Sequence, residues 1–487
     1  MDVEAFRQAG KQAIDDIADY YAKLGIDSGS IPVNSVVEPG YLTPLIPDAP
    51  PQEGEDFATI SADYHRLIMP GLTHWQHPAF FAYFPTASSF EAILGDLYSL
   101  AIPTPGFNWS CSPAATELEA IVMDWAAKLL FLDAAFYNSS GVGGGSLQTT
   151  ASDSALIAIV AARERYMALH PEATPELTNL VIYVTTQTHS LGLKAGKVLG
   201  LQVRALEVRA EDNYALKGET LEQALNEDKS AGRRPFVLIA TVGTTSSGAV
   251  DDLTEVEAAL RQHPEVWVHV DAAWAGIALC CPETHETLRL TGINSVADSI
   301  CTNFHKWGLV NFDCSTLWVR DRRLLTAALD ITPPFLRTTH GDAGTVIDYR
   351  NWHLALGRRF RSLKLWFVMR GFGVEGFRKH IRQAIQLNEL FSTLVKNTDI
   401  LELVAPPSLA LSVFRLAPLD LTKDALNTLN SAFYQRLSTR KDIALTQTTL
   451  NGAYCIRFAI GAARTTESHI RDAFSIVLEE ARTVLDA

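Results

Sequence analysis

The stretches VWVHVDAAWAG, residues 266–276, and SICTNFHKWGLVNFDCS, residues 299–315, carry the strongest structural signal in this chain. Each starts as a short apolar run of strand length and then passes into polar or small residues. Comparable runs begin at residues 180, 236 and 315, and helical patterns lie between them. Because strands that alternate with helices form βαβ units, residues 90–363 are predicted to form a large α/β domain around a mostly parallel sheet.

The segments on either side of this domain have different patterns. Residues 1–89 start with apolar residues at helical spacing and continue through a proline-rich stretch, 31–56, which cannot be a helix or a central strand. A second helix is predicted to begin near Asp56. Since such an arm cannot pack on itself, we predict that it lies across a partner subunit. Residues 364–487 combine a long helix with the candidate strands LALSVFRLA and YCIRFAIG, which predicts a smaller α/β domain.

Composition excludes several classes of protein. The chain has 487 residues, 47% of them hydrophobic, and a formal charge of −14, which argues against binding to nucleic acid or to an anionic membrane surface. No apolar run reaches the roughly 18 residues of a membrane-spanning helix, and the acidic N-terminus lacks a signal pattern. The six cysteines show no CxxC or framework spacing, which is typical of reduced thiols, so a cytoplasmic location is predicted.

A glycine-rich stretch, SSGVGGGSLQTTASDSALIAIVAARE at residues 139–164, leads directly into a strong helical pattern. Glycines and hydroxyl residues before a helix present free N–H groups and hydroxyls to an anion, so this stretch suits a phosphate group. It lacks the P-loop pattern and the GxGxxG spacing after a strand. On this stretch alone, a flexible linker is an equally good interpretation.

Three polar residues stand at or near strand ends. His189 follows the run LVIYVTT, although such a histidine is more often structural. Asp271 ends an apolar strand, where open α/β sheets bind ligands, and the two alanines after it leave room for a flat group; an ordinary strand-end cap is the alternative. Lys306, between His305 and Trp307, is a poor surface residue, and desolvation would make it a usable amine. A phosphate site, a carboxylate and such a lysine are what pyridoxal phosphate (PLP) needs.

The stretches NFHKWGLVNFDCS and HVDAAWAG resemble the aromatic L-amino acid decarboxylase family, the group II PLP-dependent decarboxylases. HPAFFAYFPTASS, GFNWSCSPAATELE, ATVGTTSSGAVDD and DYRNWHLALGRRFRSLKLWF match as well, so the resemblance covers nearly the whole chain in order. It implies the α/β fold of PLP-dependent transferases of the aspartate aminotransferase type. The implied parts are an N-terminal helical dimerisation segment (1–89), a large PLP-binding domain (90–363) and a small α/β C-terminal domain (364–487). It also implies a homodimer with shared active sites.

Matched by position, the resemblance implies a role for each site residue. Lys306 is the lysine that binds the cofactor aldehyde, Asp271 the partner of the pyridine nitrogen, and His189 stacks on the ring. The other implied cofactor contacts are Thr150, Ala151, Ser152, Thr245, Ala273, Asn303 and His305. The implied substrate pocket comprises Trp75, Tyr83, Phe84, Pro85, Thr86, Pro105, Phe107, Phe312 and Gly357. Thr150 stands where serine is more usual in the family, and Pro105 where a branched aliphatic residue is common.

The loop ITPPFLRTTHGDAG, residues 331–344, departs from the family at one catalytic position. In the family this loop reaches the neighbouring subunit's site, and a tyrosine on it helps to protonate Cα after CO2 leaves. Phe335 takes that place here, and phenylalanine has no ionisable group. Members with this change resemble one another in being aromatic aldehyde synthases, which use O2 and release an aldehyde, CO2, ammonia and hydrogen peroxide. That activity is predicted here; a simple decarboxylase, with Phe335 neutral or a packing anchor, is the alternative.

The implied pocket also bears on the substrate. Gly357 widens one wall by about a methyl group, worth about 1–3 kcal/mol in discrimination, and favours tryptophan, tyrosine, phenylalanine or dopa over histidine. Glutamate is disfavoured because no basic residue appears among the pocket positions. A non-catalytic PLP-binding protein is disfavoured because Lys306, Asp271 and His189 are all present. No HxH, HExxH or GxSxG pattern supports a metal enzyme or a serine hydrolase.

Overall fold

The computed structural model describes residues 1–25, 31–171, 177–417 and 421–486. The helices are α1 Val3–Lys23, α2 Phe57–Asp63, α3 Phe90–Ala101, α4 Pro113–Leu129, α5 Ala151–Leu169, α6 Leu191–Leu199, α7 Gly218–Ser230, α8 Leu253–Leu260, α9 Leu290–Val296, α10 Phe304–Trp307, α11 Arg322–Leu329, α12 Thr339–Asp342, α13 Arg361–Lys396, α14 Lys423–Ser438 and α15 Glu467–Leu485. The strands are β1 Gly144–Gln148, β2 Leu180–Thr185, β3 Gln202–Leu206, β4 Arg234–Thr241, β5 Trp267–Asp271, β6 Ser299–Asn303, β7 Ser315–Val319, β8 Leu401–Leu403, β9 Leu411–Leu416, β10 Thr446–Leu450 and β11 Ala453–Ala459. None of the described helices combines the length and apolar character that a membrane crossing requires.

A seven-stranded sheet in the order β1-β7-β6-β5-β4-β2-β3 forms the centre of the large domain. Strands β6, β5, β4, β2 and β3 run parallel, whereas β7 is antiparallel to both β1 and β6. Strands β2, β5, β6 and β7 are buried along their whole length, which explains their continuous apolar sequences. The predicted α/β domain with a mostly parallel sheet is confirmed.

The glycine-rich stretch before α5 is a buried strand, so its interpretation as a flexible linker is wrong. All five residues of β1 are buried. A side chain at Gly144 would collide with Asn138 and Trp352, and one at Gly145 would collide with Trp318. The glycines therefore let the edge strand approach its neighbours closely rather than loosen the chain. The helix expected after this stretch is confirmed as α5.

The C-terminal part contains a four-stranded antiparallel sheet in the order β10-β11-β9-β8, packed against α13 and α14, and α15 packs on these two helices. Both candidate strands of this part are confirmed, as β9 and β11. Helix α13 runs through the predicted boundary between 363 and 364 and is interrupted at Gly373, which has φ 61° and ψ 177°. It packs on α3 and α4 and also on α15, β8 and β9. The division into domains stays a prediction.

The N-terminal segment packs on the C-terminal part of its own chain, and both its helix α1 and the following helix α3 have exposed apolar faces. Phe81 N donates to Ala444 O at 2.9 Å, and Ala459 N donates to Phe81 O at 3.0 Å. Helix α1 has no buried residue. The exposed apolar side chains of α1 and α3 are Val3, Phe6, Ile14 and Ile17, and Phe90, Leu94, Leu97, Tyr98 and Leu100. Exposed apolar faces of this kind are typical of protein–protein contacts.

Candidate active site

A cavity of about 210 Å³ lies at the carboxyl edge of the large sheet, where β2, β4, β5 and β6 end. Ligands bind at this edge in open α/β sheets. The cavity is lined by Phe84, Thr150, Ala151, Ser152, His189, Leu191, Thr241, Gly243, Thr245, Asp271, Ala273, Trp274, Asn303, His305 and Lys306. The structure thus brings together every residue that the sequence assigned to the cofactor. Sequence reasoning missed Leu191, Thr241, Gly243 and Trp274, although three of them directly follow or end a predicted strand.

Lys306 lies in the short helix α10, directly after β6, and its side chain is largely buried. Burial lowers the pKa of its amine, and the nearby carboxylate of Asp271 opposes that shift. Its Nζ lies 5.6 Å from the ring centroid of Phe84. A lowered pKa raises the fraction of neutral amine, which is the form that attacks an aldehyde.

Asp271 is the last residue of β5, and its carboxylate faces the cavity from the strand end. Its Oδ1 accepts a hydrogen bond from Ala273 N at 3.1 Å and lies 3.8 Å from the Sγ of Cys301, its neighbour across the β5–β6 register. The side chain is 4% exposed. A buried carboxylate held in this way is suited to the positively charged nitrogen of a bound ring.

Two neutral imidazoles line the cavity beside the lysine. The Nδ1 of His189 accepts from Leu191 N at 3.2 Å, and the Nδ1 of His305 accepts from Cys314 N at 2.9 Å, so Nε2 carries the proton in both rings. Burial lowers the pKa of His189. Burial and the charge of Lys306 lower the pKa of His305 to about 3. Both side chains are therefore uncharged N–H donors near neutral pH.

The polar groups of the cavity fit PLP. Helix α5 starts at the cavity with Thr150 as its N-cap, whose Oγ1 accepts from Asp153 N at 3.3 Å, and the first amides of a helix have no partner within it. The Oγ1 of Thr241 and the Oδ1 of Asn303 are buried without a hydrogen-bond partner among the described residues. The start of α5 can bind the phosphate of PLP, the carboxylate of Asp271 its ring nitrogen, and the amine of Lys306 its aldehyde.

Arg457, on β11, is a functional candidate that the sequence analysis did not find. It is 3% exposed, and its guanidinium lies 4.8 Å from the ring centroid of Phe84. It donates to Thr446 Oγ1 and to Tyr83 O, both at 3.0 Å. No carboxylate of the described residues lies within ion-pair distance, and burial lowers its pKa to about 10. Arg457 is not itself part of the cavity lining. A charged residue inside the apolar run YCIRFAIG was the available signal for it.

The predicted substrate residues divide into two groups. Phe84 lines the cavity and stacks on Trp274 at 4.2 Å, and the exposed ring of Phe312 lies 4.8 Å from that of His305. The exposed rings of Trp75 and Tyr83 stack on each other at 5.3 Å. Pro85 and Thr86 continue this segment.

Among the described residues, Phe84 is the one predicted substrate residue in the cavity lining; Trp75, Tyr83, Pro85, Thr86 and Phe312 are not in it, and neither are Pro105, Phe107, Gly357 and Phe335. Pro105 O accepts from Arg358 N at 2.6 Å, Phe107 O accepts from Arg350 N at 2.8 Å, and Gly357 faces open space. Phe335 is 80% exposed. The roles of all these residues stay predictions.

An α/β fold with a lysine, a carboxylate and a phosphate site at one sheet edge is that of a PLP-dependent enzyme. Comparison with known proteins agrees, since the family described as "Pyridoxal-dependent decarboxylase conserved domain" matches residues 39–417. The chain belongs to this family, and within it to the group of aromatic amino acid decarboxylases and aldehyde synthases. It is 43% identical over 495 residues to an aromatic-L-amino-acid decarboxylase of Bos taurus, covering 100% of this chain and 98% of the relative.

Two further relatives show both branches of the group. A phenylacetaldehyde synthase of Arabidopsis thaliana is 42% identical over 488 residues, covering 100% of this chain and 97% of the relative. The crystal structure of Oryza sativa TDC with PLP and tryptamine superposes with a TM-score of 0.94 at 35% identity and covers 99% of both chains. The predicted family, fold and cofactor are confirmed.

Proposed function

We propose that this enzyme decarboxylates aromatic L-amino acids and couples that step to oxidative deamination. The substrate reacts with one O2 and one water to give an aryl acetaldehyde, CO2, NH3 and H2O2. Phe335 carries the proposal, because it stands on an exposed loop where a tyrosine would supply the proton for Cα. A phenyl ring has no proton to donate. Cα then stays open to O2, which takes two electrons and becomes peroxide, while water releases the nitrogen as ammonia.

Five of the cavity residues are assigned a part in this chemistry. Bound PLP supplies an aldehyde that takes up the substrate amine and a ring that accepts the electron pair left by CO2. We assign cofactor attachment to Lys306, whose lowered pKa favours the neutral amine. The carboxylate of Asp271 holds a positive charge at the ring nitrogen. His189 covers the ring, and the start of α5 with Thr150 and Ser152 binds the phosphate.

We further assign the substrate carboxylate to Arg457. This guanidinium and the amine of Lys306 both face the ring of Phe84, at 4.8 and 5.6 Å from its centroid. A buried cation without a carboxylate partner is costly, and an incoming carboxylate would offset that cost. Binding there would hold the amino acid with its amine toward Lys306.

A homodimer with shared sites accounts for four of the predicted residues that the cavity of one chain does not include. Pro105, Phe107, Phe335 and Gly357 then come from a second copy, which approaches through Val3, Phe6, Ile14 and Ile17 of α1 and through Leu94, Leu97, Tyr98 and Leu100 of α3. A mixed dimer tests this directly. One chain carries Lys306→Ala and the other carries Phe335→Tyr, so the only intact lysine faces the Phe335 of its partner. We expect aldehyde from the mixed dimer and amine from the Phe335→Tyr homodimer; amine from both would place each loop at its own site.

Product analysis of Phe335→Tyr tests the reaction itself. Tryptophan, tyrosine, phenylalanine and dopa are supplied in turn, and O2 uptake, amine, aldehyde and peroxide are measured in the same tube. We expect stoichiometric O2 uptake and aldehyde from the natural chain, and mostly amine without O2 uptake from the variant. Phe131→Tyr makes the same chemical change at another exposed phenylalanine and should leave the products unchanged.

A simple decarboxylase is the second candidate function. The neutral N–H groups of His189 and His305, and the hydroxyls of Ser152 and Thr245, line the cavity and could pass a proton from water to Cα. Amine accumulation without O2 uptake by the natural chain would establish this alternative, with Phe335 as a changed lid residue on an ordinary decarboxylase.

A further inference from the structure

A second cavity, of about 450 Å³, lies outside the candidate active site. We call it the junction cavity, because it lies where the end of α1, the start of α3, the segment after Lys306, the part of α13 beyond Gly373 and the loop after β11 meet. It is lined by Tyr21, Gln76, Ser88, Ser89, Phe90, Glu91, Leu309, Phe372, Gly376, Lys379, His380, Gln383, Ala463 and Arg464. Nothing in the proposed reaction uses these side chains.

The polar side of the junction cavity carries an excess of positive charge. Lys379 and Arg464 have no carboxylate within ion-pair distance in the part of the chain that the structure describes, and Glu91 is the one acidic lining residue. Arg464 instead lies 5.4 Å from the ring centroid of Tyr21. The Nε2 of His380 is buried and has no hydrogen-bond partner among the residues that the structure describes, and burial lowers the pKa of this ring to about 4. The cavity therefore offers two cations and a neutral polar nitrogen.

The lining of the junction cavity also includes apolar and aromatic side chains, and Arg464 lies beside one of them, Tyr21, to whose backbone O it donates. These side chains are Phe90, Phe372, Leu309 and Tyr21, and the rings of Tyr21 and Phe90 meet edge to face at 5.2 Å. A volume of this size exceeds what one inorganic anion fills, and it matches small organic ligands, whose sites start at about 300 Å³. An aromatic wall would gain nothing from a bare phosphate ion.

We propose that the junction cavity binds an aromatic carboxylate, with its carboxylate at Lys379 and Arg464 and its ring against Phe90 and Phe372. Both halves of such a ligand find a matching surface, and the unbalanced charge of the cavity is neutralised. The inference goes beyond the proposed reaction, since the ligand needs no contact with the cofactor site.

The position of the junction cavity couples it to the lysine segment. Ser89, the N-cap of α3, donates from Oγ to Leu309 O at 2.8 Å, and Leu309 follows Lys306 by three residues. Ala87 N donates to His305 O at 2.8 Å. Leu309 itself has a positive φ of 61°, which is strained for a leucine. A ligand against Leu309 therefore touches the segment that holds Lys306, and we expect it to change the turnover rate without competing with substrate.

Calorimetric titration of the full-length holoenzyme with indole-3-acetate tests the proposal. This probe has an aromatic ring and a carboxylate but no amine, so it cannot react with the cofactor aldehyde. We expect saturable binding that Lys379→Gln weakens about tenfold, as loss of one charged hydrogen bond implies. Lys396→Gln, an exposed lysine of the same helix, is the matched control and should bind as the natural chain does. Absorbance of the bound cofactor confirms that each variant is folded.

Three results would overturn the proposal. If Lys379→Gln and the natural chain bound indole-3-acetate with equal affinity, Lys379 would not contact the ligand. Displacement of indole-3-acetate by tryptamine, with competitive kinetics, would place the probe in the active site instead. Inorganic phosphate binding as tightly as indole-3-acetate would show an anion site without aromatic recognition. Loss of affinity in Arg464→Gln as well would support the two-cation arrangement.

Discussion

Replacement of Arg457 by methionine separates recognition of the substrate carboxylate from the rest of the chemistry. The natural side chain makes two hydrogen bonds within the protein, at 3.0 Å each, and has no carboxylate partner among the described residues. A hydrogen bond between charged groups contributes about 1.5–3 kcal/mol. Loss of the substrate carboxylate's partner should therefore lower kcat/KM by about 10- to 150-fold. Arg457→Lys, which keeps a charge but not the planar fork, should recover part of that loss.

The assay compares an amino acid with its own decarboxylated product. Steady-state kcat/KM is measured for tryptophan, and the dissociation constant is measured for tryptamine, which lacks the carboxylate. If Arg457 binds the carboxylate, the variant loses kcat/KM and keeps its affinity for tryptamine. If both fall by the same factor, Arg457 shapes the segment of Tyr83 and Phe84 rather than the substrate contact, and the assignment is refuted. Both variants can leave the backbone O of Tyr83 without its hydrogen bond from Arg457. Thermal unfolding of both variants shows how much stability that loss costs, separately from the loss of kcat/KM.

Two further changes test the shared pocket and the buried acids. In Gly357→Ser, the new Cβ meets no heavy atom within 4 Å, so the free energy of unfolding should be unchanged. If Gly357 lines a partner's pocket, kcat/KM for tryptophan relative to tyrosine should fall about tenfold. An unchanged ratio would mean that Gly357 does not line the substrate pocket. Burial raises the pKa of Asp251 from 3.8 to about 6. The folded state thus binds this proton more tightly than the unfolded state, and about 3 kcal/mol of stability is lost as pH rises from 4 through 6. The free energy of unfolding is measured in urea for the natural chain and for Asp251→Asn. The difference between the two free energies should shrink by that amount across this pH range, and a constant difference would contradict the raised pKa of Asp251.

His189, Asp271, Lys306 and the phosphate-binding stretch could be picked out from the sequence because each lies beside a local signal, whereas Thr245, Ala273, Asn303 and His305 came from the resemblance. Asp271 ends an apolar strand and Lys306 follows one, and strand ends of a parallel sheet meet at one edge. The start of α5 was visible as hydroxyl residues before a helical pattern. The strand β1 was not, because glycine is depleted in strands and its use here depends on the nearby Asn138 and on Trp318 and Trp352, which lie far away in sequence.

The substrate side depended on contacts that no local pattern encodes. Arg457 reaches the ring of Phe84 only because β11 of the small domain packs beside the N-terminal segment, and its neighbours in sequence are ordinary strand residues. In the proposed homodimer, the places of Phe107 and Gly357 depend on how a second copy packs, which hydrophobic periodicity within one chain does not describe. Resemblance named these two positions, whereas physical reasoning from the residues did not.

The cofactor side of the site is buried in the large domain, whereas Phe335 lies on an exposed loop. This difference helps to explain how a decarboxylase and an aldehyde synthase can share one fold. Asp271 and Lys306 lie in the cavity between packed strands, so a change at either alters both the fold and cofactor binding. Phe335 is 80% exposed on a loop, and the exchange of phenylalanine for tyrosine there costs the folded state almost nothing. In the proposed reaction, the group that decides the fate of Cα is thus one of the freest to change. Relatives at 42% and 43% identity, with matches along the whole chain, accordingly include both an aldehyde synthase and a decarboxylase.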